Sequence, residues 1–161
     1  NHNEFFSADS IHFADSLKFT TPKGKVVYGG GGIMPDIFIP LDTTNMSKYY
    51  LEVSGRNILY RYTIEYADAH RRELNAAKSL KDLEHMFNAD KDMFNRFVSY
   101  AAKSGVKPNY KQIATSRKVM ESQLRAYIAR NSEFDSSAFY YFICPIDNAL
   151  LTAIKTLENN D

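Results

Sequence analysis

The chain has 161 residues, enough for one domain or for one domain with part of another. Hydrophobic residues make up 44% and aromatic residues 14%, which supports a sizeable core and excludes a disordered composition. Lysine and arginine number 20 against 19 acidic residues, so the net charge of +1 builds in no attraction to nucleic acid or to an anionic membrane. A single cysteine excludes an internal disulfide and a multi-cysteine zinc site. The longest strongly apolar stretch, residues 138–146, contains Pro145 and is far too short to span a bilayer. The chain opens on Asn1 with no initiator Met and no signal peptide. It therefore reads as an excised part of a longer polypeptide, with any targeting signal upstream.

The composition shifts near Asp42, and the expected fold is α+β: a short β arm over residues 1–42, then a helical bundle over 43–161. Leu17 and Phe19 alternate with Lys18 and Thr20, as a strand requires, and Pro22 with Gly24 supplies the turn before a second strand over 26–28. Residues 37–41 form a third extended run, whose Pro40 suits an edge strand or a strand end. Three such strands bury little alone and call for a partner surface.

Beyond Asp42 the apolar residues recur at helical spacing. Thr44 is placed to cap a helix over 46–54 that Gly55 stops. Leu59, Tyr62 and Tyr66 define one face of a single helix over 58–74, and a short helix over 80–87 follows. Asp90 or Asp92 caps the next, whose Phe94, Phe97, Val98 and Ala101 lie on one side until Gly105 and Pro108 end it. The longest helix runs over 109–130 with Ile113, Met120, Leu124, Tyr127 and Ile128 inward. Asp135 and Asp147 start the last two, over 136–144 and over a stretch that turns Leu150, Ile154 and Leu157 inward.

Four of the seven glycines, Gly29, Gly30, Gly31 and Gly32, are consecutive within "VVYGGGGIMPDIFIPLD", residues 26–42. A phosphate-binding loop needs a Lys and a Ser or Thr after its last Gly, and then a helix start. Here Ile33, Met34, Pro35 and Asp36 follow, then a strand, so the stretch reads as a structural bend where backbone approaches backbone. The same grammar disposes of other candidates. His2, His12, His70 and His85 lack metal-ligand spacing, and His70 falls on the Tyr66 side of its helix. Cys144 has apolar flanks, which raise a thiol pKa, and no recognisable base. Ser104 and Lys107 have Ser-x-x-Lys spacing, but at a helix stop rather than a helix start. Tyr49, Tyr50, Tyr140 and Tyr141 read as core or interface anchors. No metal, no cofactor and no complete active site is expected.

Residues 17–42, "LKFTTPKGKVVYGGGGIMPDIFIPLD", resemble the segment that ends the protease core of carboxy-terminal-processing (tail-specific) serine peptidases. There a strand bearing T-P-x-G-(K/R) leads to G-I-x-P-D-(I/V). The matching residues are Thr21, Pro22, Gly24 and Lys25, then Gly32, Ile33, Pro35, Asp36 and Ile37. The four-glycine form is similar to that of Bacteroides-like bacteria, and "KYYLEV" with "SQLRAYIAR" resembles the C-terminal extension of the same proteins. The resemblance implies a parent serine endopeptidase of the periplasm or cell envelope, with a PDZ domain for substrate C-termini. Its Ser nucleophile and Lys general base precede this segment, so no residue here inherits a catalytic role. Polypeptides are then substrates of the parent, and residues 1–161 alone are expected to be inactive. Residues 1–42 complete the parent core, with Gly29 to Gly32 letting the backbone turn and Asp36 bonding local amides. The helical part serves as scaffold, substrate platform or oligomerisation module, and the β arm or the helices could join two copies. The competing reading is a non-catalytic helical protein-interaction domain. A distant third is a small enzyme built from scattered Asp, His and Tyr.

Overall fold

The computed structural model describes residues 15–24, 26–29 and 37–159. The chain divides into two compact units, Asn1–Asp42 and Thr43–Asp161. The fold is α+β and mainly helical.

In the first unit a 3-10 turn, Asp15–Leu17, runs into β1 (Lys18–Thr20), which pairs antiparallel with β2 (Val26–Tyr28). The register sets Phe19 opposite Val27 and Thr20 opposite Val26. The Gly24 amide donates to the Thr21 carbonyl at 2.8 Å, and Gly24 takes φ +82°, a conformation open to Gly at little steric cost. Thus Thr21, Pro22 and Gly24 are placed by turn chemistry, as expected. The third strand does not form. Residues 37–43 carry no strand or helix, because Pro40 lacks an amide proton and no described strand is registered against them.

The second unit is built on α6 (Tyr110–Ala129), which lies against α1 (Lys48–Gly55), α2 (Ile58–Ala69) and α7 (Asp135–Ile143). The other helices are α3 (Arg71–Ala76), α4 (Leu80–Ala89), α5 (Met93–Lys103) and α8 (Asn148–Glu158), with a 3-10 turn, Cys144–Ile146, before α8. Phe87, Phe97, Leu74, Leu83, Met120, Leu124 and Ile128 are closed off from solvent and form one continuous core. Each such side chain contributes about 1.5–3 kcal/mol relative to an exposed one.

Caps explain where several helices start. Ser79, Asn109 and Asp147 accept from the backbone amides of Asp82, Gln112 and both Ala149 and Leu150. The first cap is Ser47 rather than Thr44, since Ser47 Oγ accepts from the Tyr50 amide. The Ser47 amide in turn donates to Ser116 Oγ at 2.9 Å, and Ser116 Oγ donates to Ser47 Oγ at 2.7 Å, fixing α1 to α6. Asp92 occupies its cap position without a side-chain cap bond, and Asp135 is the first residue of α7, with φ +42°. The single helix expected over 58–74 breaks at His70, whose φ of −112° and ψ of 25° leave the helical region. Asn57 turns α1 into α2 in the left-handed region, φ 55°, which Asn tolerates better than most residues. Leu150, Ile154 and Leu157 of α8 do not face inward: they keep 36%, 43% and 69% exposure.

No single helix among the described residues is long and apolar enough to cross a membrane. The segments Asp135–Ile146 and Asn148–Glu158 reach that length together, but they are bent by 82°.

Candidate functional site

Where α2 ends, it faces the joint between α4 and α5 across an open depression of about 490 Å³ lined by Tyr66, His70, Met86, Ala89, Asp90 and Arg96. Tyr66 arrives there because its position on α2 continues the Leu59–Tyr62 face, so its ring is buried while its hydroxyl reaches the rim. That hydroxyl donates to Asp90 Oδ2 at 2.7 Å, and the Arg96 guanidinium binds the same oxygen. The Tyr62 hydroxyl, one turn back, donates to the Met93 carbonyl at 3.0 Å. His70 stacks on Tyr66 with ring centres 4.0 Å apart, and Arg96 lies over the Tyr66 ring at 5.9 Å. His70 Nδ1 faces the Tyr66 carbonyl at 3.0 Å, which is a hydrogen bond when that nitrogen carries the proton.

The electrostatics reinforce the ordinary charge states of Asp90, Tyr66 and Arg96. Burial pushes the Asp90 carboxyl upward, but hydrogen bonds from Arg96 and Tyr66 outweigh it and hold Asp90 below the usual carboxylate range. Burial and the Asp90 hydrogen bond raise Tyr66 well above an ordinary phenol. The hydrogen bond to Asp90 raises Arg96. At neutral pH the site is therefore an ion pair capped by a neutral phenol. The Tyr66–Asp90–Arg96 bonds tie α2 to the α4–α5 joint.

Asp90 was foreseeable as a helix-end residue but not as this hub. The Tyr66–Asp90 separation spans two helix breaks, and no short sequence period encodes it.

Among the other candidates, Pro22 is exposed beside the β-turn. Gly29 ends β2 with its amide donating to the Leu17 carbonyl at 2.8 Å, and a Cβ there would sit 3.1 Å from Phe19 Cε2. Gly30, Gly31, Gly32, Ile33, Pro35 and Asp36 lie outside the described residues, as do His2 and His12. His85 is exposed, while its neighbour Glu84 accepts from the Tyr141 hydroxyl at 3.0 Å. Ser104 caps the end of α5, and Gly105 at φ +89° completes the stop, so Ser104 and Lys107 are not set as a catalytic pair. Cys144 is half-buried at the end of α7 rather than a core residue. Tyr49 and Tyr50 are buried, whereas Tyr140 and Tyr141 are exposed. No group of three or more His, Cys, Asp or Glu among the described residues could hold a metal ion.

A family model for a family of unknown function, DUF8443, matches residues 49–132. The match covers more than half of the 161 residues. The chain belongs to this family. The DUF8443 stretch runs from α1 past the end of α6 and contains the whole Tyr66–Asp90–Arg96 cluster. No curated protein and no solved structure matches the chain.

Proposed function

We propose that this polypeptide is the C-terminal part of a serine endopeptidase of the carboxy-terminal-processing type, with residues 1–42 completing the protease core and the helical unit serving as a non-catalytic module. One observation carries the reading: the hairpin exposes an apolar face. Phe19 keeps 59% and Val27 39% exposure, directly opposite one another on one face of two three-residue strands, and Val26 keeps 44% on the other face. A hairpin of this size is marginal in water, so it belongs in a larger sheet. The turn that makes it is the Thr21–Pro22–Gly24 element of the peptidase resemblance.

In this reading the Ser nucleophile and the Lys base lie upstream, and the parent acts on polypeptides in the periplasm or cell envelope. A lysine serves as base only where burial lowers its pKa, and the oxyanion needs preorganised donors. The test uses the full-length protein against casein or a tailed peptide substrate. Turnover that is lost when an upstream Ser is replaced supports the reading, with residues 1–161 alone inactive. A native gene with no Ser and later Lys upstream overturns it.

A second reading, a helical protein-interaction domain with no peptidase partner, is favoured by the exposed Leu150, Leu151, Ile154 and Leu157 of α8. Inactive full-length protein that binds another polypeptide through α8 would select it.

A further inference from the structure

We propose that a ladder of aromatic rings on the helical unit, Tyr60–Tyr127–Phe139–Tyr140 with Arg130 beside it, is a docking site for an extended, proline-rich segment of another polypeptide that carries acidic residues. The inference stands on the helical unit alone and is independent of the peptidase reading.

Three helices assemble the ladder. Tyr60 of α2 meets Tyr127 of α6, Tyr127 meets Phe139 of α7, and Phe139 meets Tyr140, each step with ring centres 5.4 Å apart. The successive rings cross at 84°, 55° and 82°, so neighbours enclose notches instead of forming a flat platform. Tyr60 keeps 50% and Tyr140 59% exposure, while Tyr127 and Phe139 are half-buried between them. The hydroxyls set these tyrosines apart. Those of Tyr50, Tyr62, Tyr66, Tyr100 and Tyr141 all hydrogen-bond within the bundle. Those of Tyr60, Tyr127 and Tyr140 bond to no described residue.

A proline-rich segment fits this chemistry. Proline has no amide proton and a polyproline II strand has no internal hydrogen bonds, so the segment presents ridged rings and free carbonyl acceptors. Notches between aromatic rings take the proline rings, and the unbonded phenols donate to the carbonyls. Arg130 sets the charge. Its Cζ lies 5.8 Å from the Phe139 ring centre, and its Nε is 3.6 Å from Asp135 Oδ1 in an ion pair exposed by more than half on both sides, which contributes little. A carboxylate on the segment can take over that guanidinium, whereas an ammonium among the rings is disfavoured by it. Size also decides. A stable dimer takes about 800 Å² from each partner, and one fully buried aromatic ring supplies about 150–250 Å². Two half-exposed rings and two largely covered ones fall well short, so the ladder suits a short segment and not a second copy of the chain.

The test titrates the 161-residue chain with a synthetic oligoproline bearing glutamates, and with the same peptide bearing glutamines. Binding is read from tyrosine fluorescence, which no tryptophan obscures, and from ring-proton NMR signals. Saturable binding that shifts the Tyr60, Tyr127, Phe139 and Tyr140 signals is expected. Y60F and Y140F keep the rings and should each weaken it about three- to tenfold, the loss of one hydrogen bond, with helical circular dichroism unchanged. R130Q should weaken the glutamate peptide and leave the glutamine peptide as it was. No saturable binding, or binding that Y60F and Y140F leave intact, overturns the proposal. Shifts of the ladder rings by soluble oligosaccharides or by self-association, without a response to the peptides, overturn it in favour of a glycan or a second copy.

Discussion

Phe97 in the helical unit has no exposure to solvent, whereas Phe19 on the hairpin keeps 59%. Both are phenylalanines in regular structure, so the contrast lies in what surrounds them. The helical unit closes on itself: α6 gives α1, α2 and α7 a common surface, and serine pairs and tyrosine–carboxylate bonds settle the polar groups between helices. The hairpin has two short strands and no covering layer among the described residues. One unit carries its own core, and the hairpin leaves its apolar side chains exposed.

The sharpest way to break this comparison is a matched pair of truncations. F97A should cost about 3–5 kcal/mol in chemical denaturation followed by circular dichroism, a large part of a typical domain's stability. F19A should change the same transition by less than about 0.5 kcal/mol. Equal losses would mean that the hairpin is integral to the helical core.

The Asp90 hub comes next. D90N keeps the shape but removes the charge that Arg96 binds, and should cost about 1–2 kcal/mol. Its pH behaviour is distinctive. The folded carboxyl sits below its unfolded value, so its stabilisation is present above about pH 4 and disappears as pH falls through the lowered folded value. Urea midpoints measured from neutral to acid pH should therefore converge for wild type and D90N at the acid end.

Smaller still, S47A removes both the α1 cap and the acceptor for Ser116, and should cost about 1 kcal/mol. The smallest effect belongs to the turn. G24A forces a side chain into φ +82° and should weaken hairpin pairing by about 1 kcal/mol without touching the helical transition. Cross-strand contacts between Phe19 and Val27 in NMR spectra would report it.

Helix existence was legible in the sequence because it rests on local signals. The apolar spacing of Phe94, Phe97 and Ala101 and the caps Asn109 and Asp147 act within a few residues. What escaped depends on distant partners. Ser47 wins the cap over Thr44 because Ser116, on another helix, bonds it. His70 interrupts a continuous apolar pattern while its ring stacks on Tyr66. The α8 side chains follow helical periodicity faithfully, yet periodicity specifies a face and not what covers it. The tyrosine cluster is hidden for the same reason: nothing in the spacing of Tyr66, Asp90 and Arg96 says that three helix breaks bring them to one oxygen atom.

The tyrosines of the bundle also make it a self-labelled optical object. The chain has 11 tyrosines and no tryptophan, so phenol absorbance and emission belong to a single chromophore type. Tyr66, Tyr100 and Tyr141 each donate to a carboxylate, on Asp90, Glu65 and Glu84, and burial lifts Tyr49 to about 12. In mild alkali these phenols hold their protons longer than an ordinary phenol does, so a spectrum taken during titration follows them without any attached dye.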